Sequence, residues 1–130
     1  MLNGAPLAPQ VAAVAGGAAV GALLRWGAAL ALNGRWTGFP LGTLTVNVIG
    51  GLLIGAALAV FERQPNDLLR LLVVTGFLGG FTTFSAFSVE SLLMLQRQEW
   101  VLALLHTVAH VAGSLACAAI GYRLIRTIVG

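Results

Sequence analysis

The stretch from Gly76 to Glu90 reads GFLGGFTTFSAFSVE and lies within one of the most apolar parts of the chain. Three glycines, two threonines, two serines and a carboxylate interrupt what would otherwise be a continuous oily helix. Glycine and threonine in close succession are poor helix formers, so a third helix broken near Gly76–Thr83 and resuming near Ser85 is predicted. Unwound backbone at membrane depth is tolerated only where it is buried in protein or lines a cavity. There it offers carbonyls to a cation or a helix N-terminus to an anion. Beyond the break, Phe84, Phe87, Ser88 and Ser91 recur at i, i+3, i+4 and i+7. One helical face therefore carries two rings and two hydroxyls.

The rest of the chain sets this stretch in lipid. Of its 130 residues 58% are hydrophobic and 8% charged, with a mean hydropathy of +0.95. A water-soluble chain of this length could not hide so much apolar surface. A spanning helix needs about 20 apolar residues, and four such segments can be read directly. They run approximately over 8–32, 41–61, 68–95 and 100–126, separated by the polar stretches NGRWTGFP, ERQPND and QRQEW. The segments are too uniformly apolar for the alternating strands of a barrel, so the fold class is an all-α membrane protein. Residues 1–130 form a single four-helix transmembrane domain on this reading.

The N-terminal MLNGAPLAPQ has no basic residue, which predicts that it is not a cleavable signal peptide. A lone Cys117 says nothing about compartment and reads as a small core residue. The net charge of +3 comes from seven arginines and no lysine, scattered along the chain. A nucleic-acid binder would cluster them on one face, so no such partner is expected. If the N-terminus, second loop and C-terminus share a side, Arg63, Arg70, Arg123 and Arg126 oppose Arg35 and Arg97. That is a weak bias under the positive-inside rule, compatible with insertion both ways up.

Small residues recur at helical spacing: Gly17 and Gly21, Gly51 and Gly55, Gly76 and Gly80, Ala109 and Gly113. Most of them read as packing seams, because removing side chains lets helices approach closely in lipid. Enzyme signatures are absent, so no catalytic activity is expected. HTVAH (His106 to His110) lacks the glutamate of a zinc-protease helix. The two histidines share a helix face, but no carboxylate or cysteine adjoins them in sequence. A polar seam between helices is the preferred reading over a metal pair. Asn47, buried in the second segment, either hydrogen-bonds between helices or faces a pore. Glu90 and Arg25 either form a buried pair or snorkel outward.

GTLTVNVIGG (Gly42 to Gly51) in the second helix, combined with TGFLGGFTTFSAFS (Thr75 to Ser88) in the third, closely resembles the Fluc, or CrcB, family of small bacterial fluoride channels. The resemblance extends to GALLRW (Gly21 to Trp26) and AGSL (Ala112 to Leu115). It implies four transmembrane helices per subunit, an antiparallel homodimer, and a multi-pass location in the bacterial inner membrane. It also implies two fluoride pores and a central structural sodium ion. By motif match the pore phenylalanines are Phe84 and Phe87, and the pore amide is Asn47. The backbone carbonyls of Gly79 and Thr82 hold sodium. Thr43 and Ser114 match hydroxyls along a polar track, Ser88 and His110 complete the candidate pore, and Arg25 is a candidate for its entrance. His106 and His110 stand where the family has tyrosine and serine.

The chemistry agrees with that implication. Fluoride is small and strongly hydrated, so a pore must replace its water without trapping the ion. An amide, hydroxyl donors and the positive edges of aromatic rings offer several weak contacts where a buried lysine would bind too tightly. The implied function is passive fluoride export that protects the cell from fluoride toxicity. The competing reading is a small proton-coupled multidrug antiporter with dual topology. Such a carrier needs a carboxylate in its first helix, where this chain has only Arg25. A non-conducting assembly subunit would need neither the glycine-rich break nor the aromatic face.

Overall fold

The computed structural model describes residues 4–130, among which regular structure is entirely helical. Helix α1 spans Leu7–Leu32 and α2 spans Leu41–Arg63. The third span, Asp67–Gln96, comprises α3 (residues 67–81) and α4 (Phe84–Gln96). Helix α5 spans Trp100–Val129. Pro6 and Pro40 stand immediately before α1 and α2, where a fixed φ and a missing N–H are no loss to the helix. Each of the four spans is at least 23 residues long. At 1.5 Å per residue, about 20 residues cross the hydrocarbon core, so the chain is a multi-pass membrane protein. Leu23, Leu30, Leu104 and Leu115 all lie more than half exposed on the outer surface, where a lipid-facing bundle places its apolar side chains.

Glycines join the spans in two pairs. Along α1 and α3, a Cβ at Gly21 would collide with the Phe77 carbonyl oxygen, and one at Gly80 with that of Ala18. Along α2 and α5, a Cβ at Gly51 would collide with the Ser114 carbonyl oxygen and one at Gly55 with that of Ala118. These backbones touch because nothing stands between them, the close approach that stabilises helix pairs in lipid. Between the pairs lies a small core of Val46, Leu78 and Phe81, with Phe77 stacked on Phe81 at a centroid distance of 5.5 Å.

The third span departs from regular helix in two places. Leu71–Leu78 is a π-helix, the wider winding that recurs at functional sites. After the α-turn Gly79–Phe81, Thr82 (φ −85°, ψ 159°) and Thr83 (φ −151°, ψ 117°) are extended, and helical geometry resumes at Phe84. Gly76, Gly79 and Gly80 thus stay helical, and two threonines are the residues that leave the helix. The reason is packing: Gly76 and Gly80 are held against the backbone of α1, which favours keeping their winding regular. The threonines find other partners. Thr82 directs both its N–H (3.0 Å) and its hydroxyl (2.8 Å) to the Leu78 carbonyl, and the Thr83 hydroxyl caps α4 by accepting from Ala86 N–H at 3.1 Å.

Candidate functional site

The extended pair is held by Asn47, in the middle of α2. Its Oδ1 accepts from Thr83 N–H at 2.8 Å, and its Nδ2 donates to the Thr83 carbonyl at 2.9 Å. A side-chain amide thereby replaces the ladder bonds that the chain gives up. Asn47 Nδ2 also lies 3.0 Å from Nδ1 of His110, on α5. Asn47 thus bonds between helices, one of its two open alternatives, and it also borders a cavity.

That cavity has a volume of about 560 Å³ and opens along one side of the molecule. Of the residues singled out in the sequence, it gathers Asn47, Gly79, Thr82, Phe84, Phe87, His110 and Ser114. Phe84 and Phe87 stand 5.4 Å apart by ring centroids, Phe87 buried and Phe84 77% exposed. Phe87 in turn contacts both imidazoles, 4.7 Å from His110 and 5.3 Å from His106, and the two imidazoles lie 4.5 Å apart. A continuous column of rings leads inward from the cavity.

Behind it runs a hydrogen-bonded chain. The buried Thr43 hydroxyl donates to Glu90 Oε1, Glu90 Oε2 lies 3.2 Å from His106 Nε2, and His106 Nδ1 lies 2.9 Å from the Ser91 hydroxyl. With Glu90 ionised every partner is matched: both carboxylate oxygens accept, from Thr43 O–H and His106 N–H, and the Ser91 hydroxyl donates to the imidazole. Glu90, His106 and Ser91 lay outside the candidate pore in the sequence reading, which gave His106 a polar seam between helices, Glu90 a pair with Arg25 or an outward reach, and Ser91 a place on the aromatic face. Their signal was the helical spacing of Phe87, Glu90 and Ser91 together with that of the histidine pair. What sequence could not supply was the pairing of α4 with α5.

Three of the expected residues sit differently. Ser88 turns its hydroxyl to the Phe84 carbonyl of its own helix at 2.8 Å. Thr43 is not a cavity residue and reaches the rings only through Glu90. Arg25 forms no pair with Glu90; its Nε donates to the Gly80 carbonyl at 2.9 Å. A cation there faces the negative end of the α3 dipole.

Glu90, His106 and His110 each present a ligand atom within 4.8 Å of the others, so the carboxylate absent beside the histidines in sequence is supplied by the third span. The hydrogen bonds do not favour a metal there. Asn47 N–H occupies the Nδ1 lone pair of His110, which leaves the proton of the neutral ring on Nε2 and no free pair for coordination. The cluster is held by hydrogen bonds among its own side chains, Thr43 to Glu90, Glu90 to His106, His106 to Ser91, and Asn47 to His110.

Fold and site define a class: a small multi-pass membrane protein with a column of rings and hydrogen-bonding groups crossing its interior. Residues 12–122 match the family described as CrcB-like protein, Camphor Resistance (CrcB), and the chain belongs to that family. It is 53% identical over 116 residues to the fluoride-specific ion channel FluC of Aromatoleum aromaticum, with 88% of each chain covered. It is 50% identical over 112 residues to that of Thiobacillus denitrificans, covering 85% of this chain and 90% of the other. The likeness to the FluC of Bordetella bronchiseptica is 45% over 131 residues and covers 99% of both.

Proposed function

We propose that the protein is a fluoride-selective channel of the bacterial inner membrane, which lets fluoride leave the cytoplasm passively. The observation that carries this is the column of Phe84, Phe87 and His110 beside the Asn47–Thr83 pair, in a chain of this family. Ring edges and N–H donors at membrane depth suit a small hydrated anion. An interior-negative potential expels such an anion with about 2.3 kcal/mol per 100 mV, so no covalent chemistry is needed. The antiporter reading lacks its carboxylate, and the single charge of α1, Arg25, is engaged at Gly80.

The working unit is an antiparallel homodimer. One copy leaves Phe84 77% exposed at the mouth of an open cavity, a surface that a second copy of the chain would cover. The helix break in the third span then serves sodium. In a continuous helix Thr83 N–H would bond the Gly79 carbonyl, but here it goes to Asn47, and Gly79 itself is exposed. The carbonyls of Gly79 and Thr82 would hold the ion, joined by those of the partner. Bound sodium supplies positive charge that offsets part of the cost of an anion in a low dielectric.

The test is fluoride release from liposomes containing only the purified protein, read with a fluoride electrode after a potassium ionophore relieves the charge imbalance. Rapid fluoride release without chloride release is expected. Release no faster than from protein-free liposomes would overturn the reading.

A further inference from the structure

Of the four carboxylate side chains, Glu62, Asp67 and Glu99 stand at the ends of spans, and Glu90 alone lies within one. A charge at membrane depth is costly without a partner of opposite sign. No arginine supplies one: Arg25 is bonded at Gly80, and among the described residues the ion-pairing partner of Glu90 is His106, 3.2 Å away and fully buried. The network around the pair has two bonded states that differ by one proton. In the first, His106 Nε2–H donates to Glu90 and the Ser91 hydroxyl donates to Nδ1. In the second, Nδ1 also carries a proton, and the Ser91 oxygen accepts it, since a hydroxyl serves either way. No other member takes that proton on the same terms. Nδ1 of His110 is occupied by the Asn47 amide, which Thr83 holds in place. A proton on Glu90 would set an O–H against a donor, Thr43 at one oxygen or His106 at the other.

The titratable and charged groups that face the pair, among the described residues, are His110 on the same helix as His106 and Arg97, which lines a small pocket with Glu90 just beyond α4. Helix α2 brings Thr43, the loop before it Phe39, and the end of α1 Asn33, none of which carries charge. Uptake of the proton therefore changes the net charge of the pair from −1 to zero. That change is felt at the cavity, because Glu90 and His110 present ligand atoms within 4.8 Å of each other and His110 borders the cavity. An anion beside Phe87 and His110 is repelled in the first state and not in the second. We infer that Glu90 and His106 form a proton-operated switch, which raises fluoride passage as the pH falls through the range in which histidine titrates. The pair acts through its charge, without touching the ion, and the inference rests on the channel reading above. Across about 5 Å a unit charge alters the local concentration of an ion about fourfold even with the screening of bulk water, and by more in a less polar interior.

Two measurements test it in the full-length protein in lipid. Fluoride efflux from liposomes, with the same pH on both sides and the rate of protein-free liposomes subtracted, is compared at about pH 8 and about pH 6, either side of the ordinary histidine range. Wild type should be at least about fourfold faster at the lower pH. His106→Gln keeps an N–H for Glu90, and His106→Tyr keeps a ring and an O–H, but neither titrates in this range. Both variants should run at one rate at the two pH values, close to that of wild type at the higher. In wild type with ¹⁵N-labelled histidine, the His106 signals, assigned by their loss in His106→Gln, should show one protonated nitrogen at the higher pH and two at the lower. His110 should keep one throughout. Wild-type flux that is equal at both pH values, or falls on acidification, overturns the inference and leaves the channel reading standing. So does a pH response that survives in His106→Gln, or a His106 ring whose protonation does not change. Wild-type protein that passes no fluoride at either pH overturns both. The wild-type flux and the spectra decide the matter even if a variant fails to fold, because an unassembled His106→Gln still removes one set of histidine signals.

Discussion

Asn47 pairs with both backbone groups of Thr83, one residue doing for an interrupted helix what two ladder bonds do for an intact one. Asn47→Leu would leave an N–H and a carbonyl without partners inside the protein, at about 1–3 kcal/mol each. Loss of the monodisperse peak in detergent and loss of fluoride flux should therefore occur together. Asn47→Asp keeps the acceptor for Thr83 N–H but sets an acceptor against the Thr83 carbonyl and against His110 Nδ1. It should retain more of the fold than the leucine variant while conducting at least tenfold less than wild type, as expected if a hydrogen-bonded anion path is interrupted. Normal flux in the aspartate variant would remove Asn47 from the track.

Phe84 and Phe87 separate ring chemistry from packing, because their surroundings differ. Phe84 is 77% exposed in the subunit and Phe87 is 8% exposed, packed on both imidazoles. Phe84→Ile should leave subunit stability unchanged and still lower fluoride flux, since bulk is kept and the positive ring edge is lost. Phe87→Ile should lower both. Undiminished flux in Phe84→Ile, measured beside an unchanged melting temperature, would mean that this ring takes no part in conduction.

The glycine seams give a prediction with its own control. A Cβ at Gly55 would collide with the Ala118 carbonyl oxygen, and one at Gly21 with that of Phe77. Backbone cannot rotate away, so Gly55→Ala and Gly21→Ala should force the helix pairs apart and lower thermal stability markedly. A Cβ at Gly27 meets nothing within 4 Å, and Gly27→Ala should be neutral or slightly stabilising through helix propensity. Thermal melting in detergent of the three variants side by side checks this, and equal stability for all of them would contradict the seams.

The four spans were legible because lipid imposes one rule on every residue of a segment: remain apolar for about 20 residues and satisfy the backbone within it. The seam glycines were legible for the same reason, since their spacing is a property of one helix. The site was legible only along a single helix. Phe84 and Phe87 announced a face, and His106 and His110 another, but sequence does not state that Glu90 on one lies 3.2 Å from His106 on the other. The exact residues of the helix interruption escaped for a related cause. Propensity marked the whole stretch Gly76–Thr83, glycines and threonines together, whereas the choice of the two threonines within it lay with Asn47, 36 positions upstream of Thr83 and visible only once the two spans are packed. Arg25 and Glu90, left by the sequence as either a buried pair or outward-reaching groups, are instead engaged separately, Arg25 by the Gly80 carbonyl and Glu90 by Thr43 and His106.

Gly79 and Thr82 allow the sodium proposal to be tested against a purely structural role for the interruption. Within one subunit a Cβ at Gly79 meets only the Val74 carbonyl oxygen at 3.8 Å, an ordinary contact, and the residue is exposed on the cavity side. Gly79→Val should therefore leave the subunit helical yet prevent assembly, because crowding would arise only where a second copy and a shared cation approach. Thr82→Ser keeps the hydroxyl bond to the Leu78 carbonyl and the backbone carbonyl, so flux should stay within about threefold of wild type if the backbone is what binds. The ion itself is the sharper probe. Carbonyl oxygens suit a hard cation of fixed size, so replacing all sodium by N-methylglucamine during purification and assay should abolish fluoride flux, and added sodium should restore it. Loss should appear first as slower flux and then, on prolonged depletion, as a shift from dimer to monomer by light scattering. If flux and assembly are both indifferent to sodium while Gly79→Val still assembles, the extended threonines serve only to present Thr83 to Asn47, and the central charge must come from elsewhere.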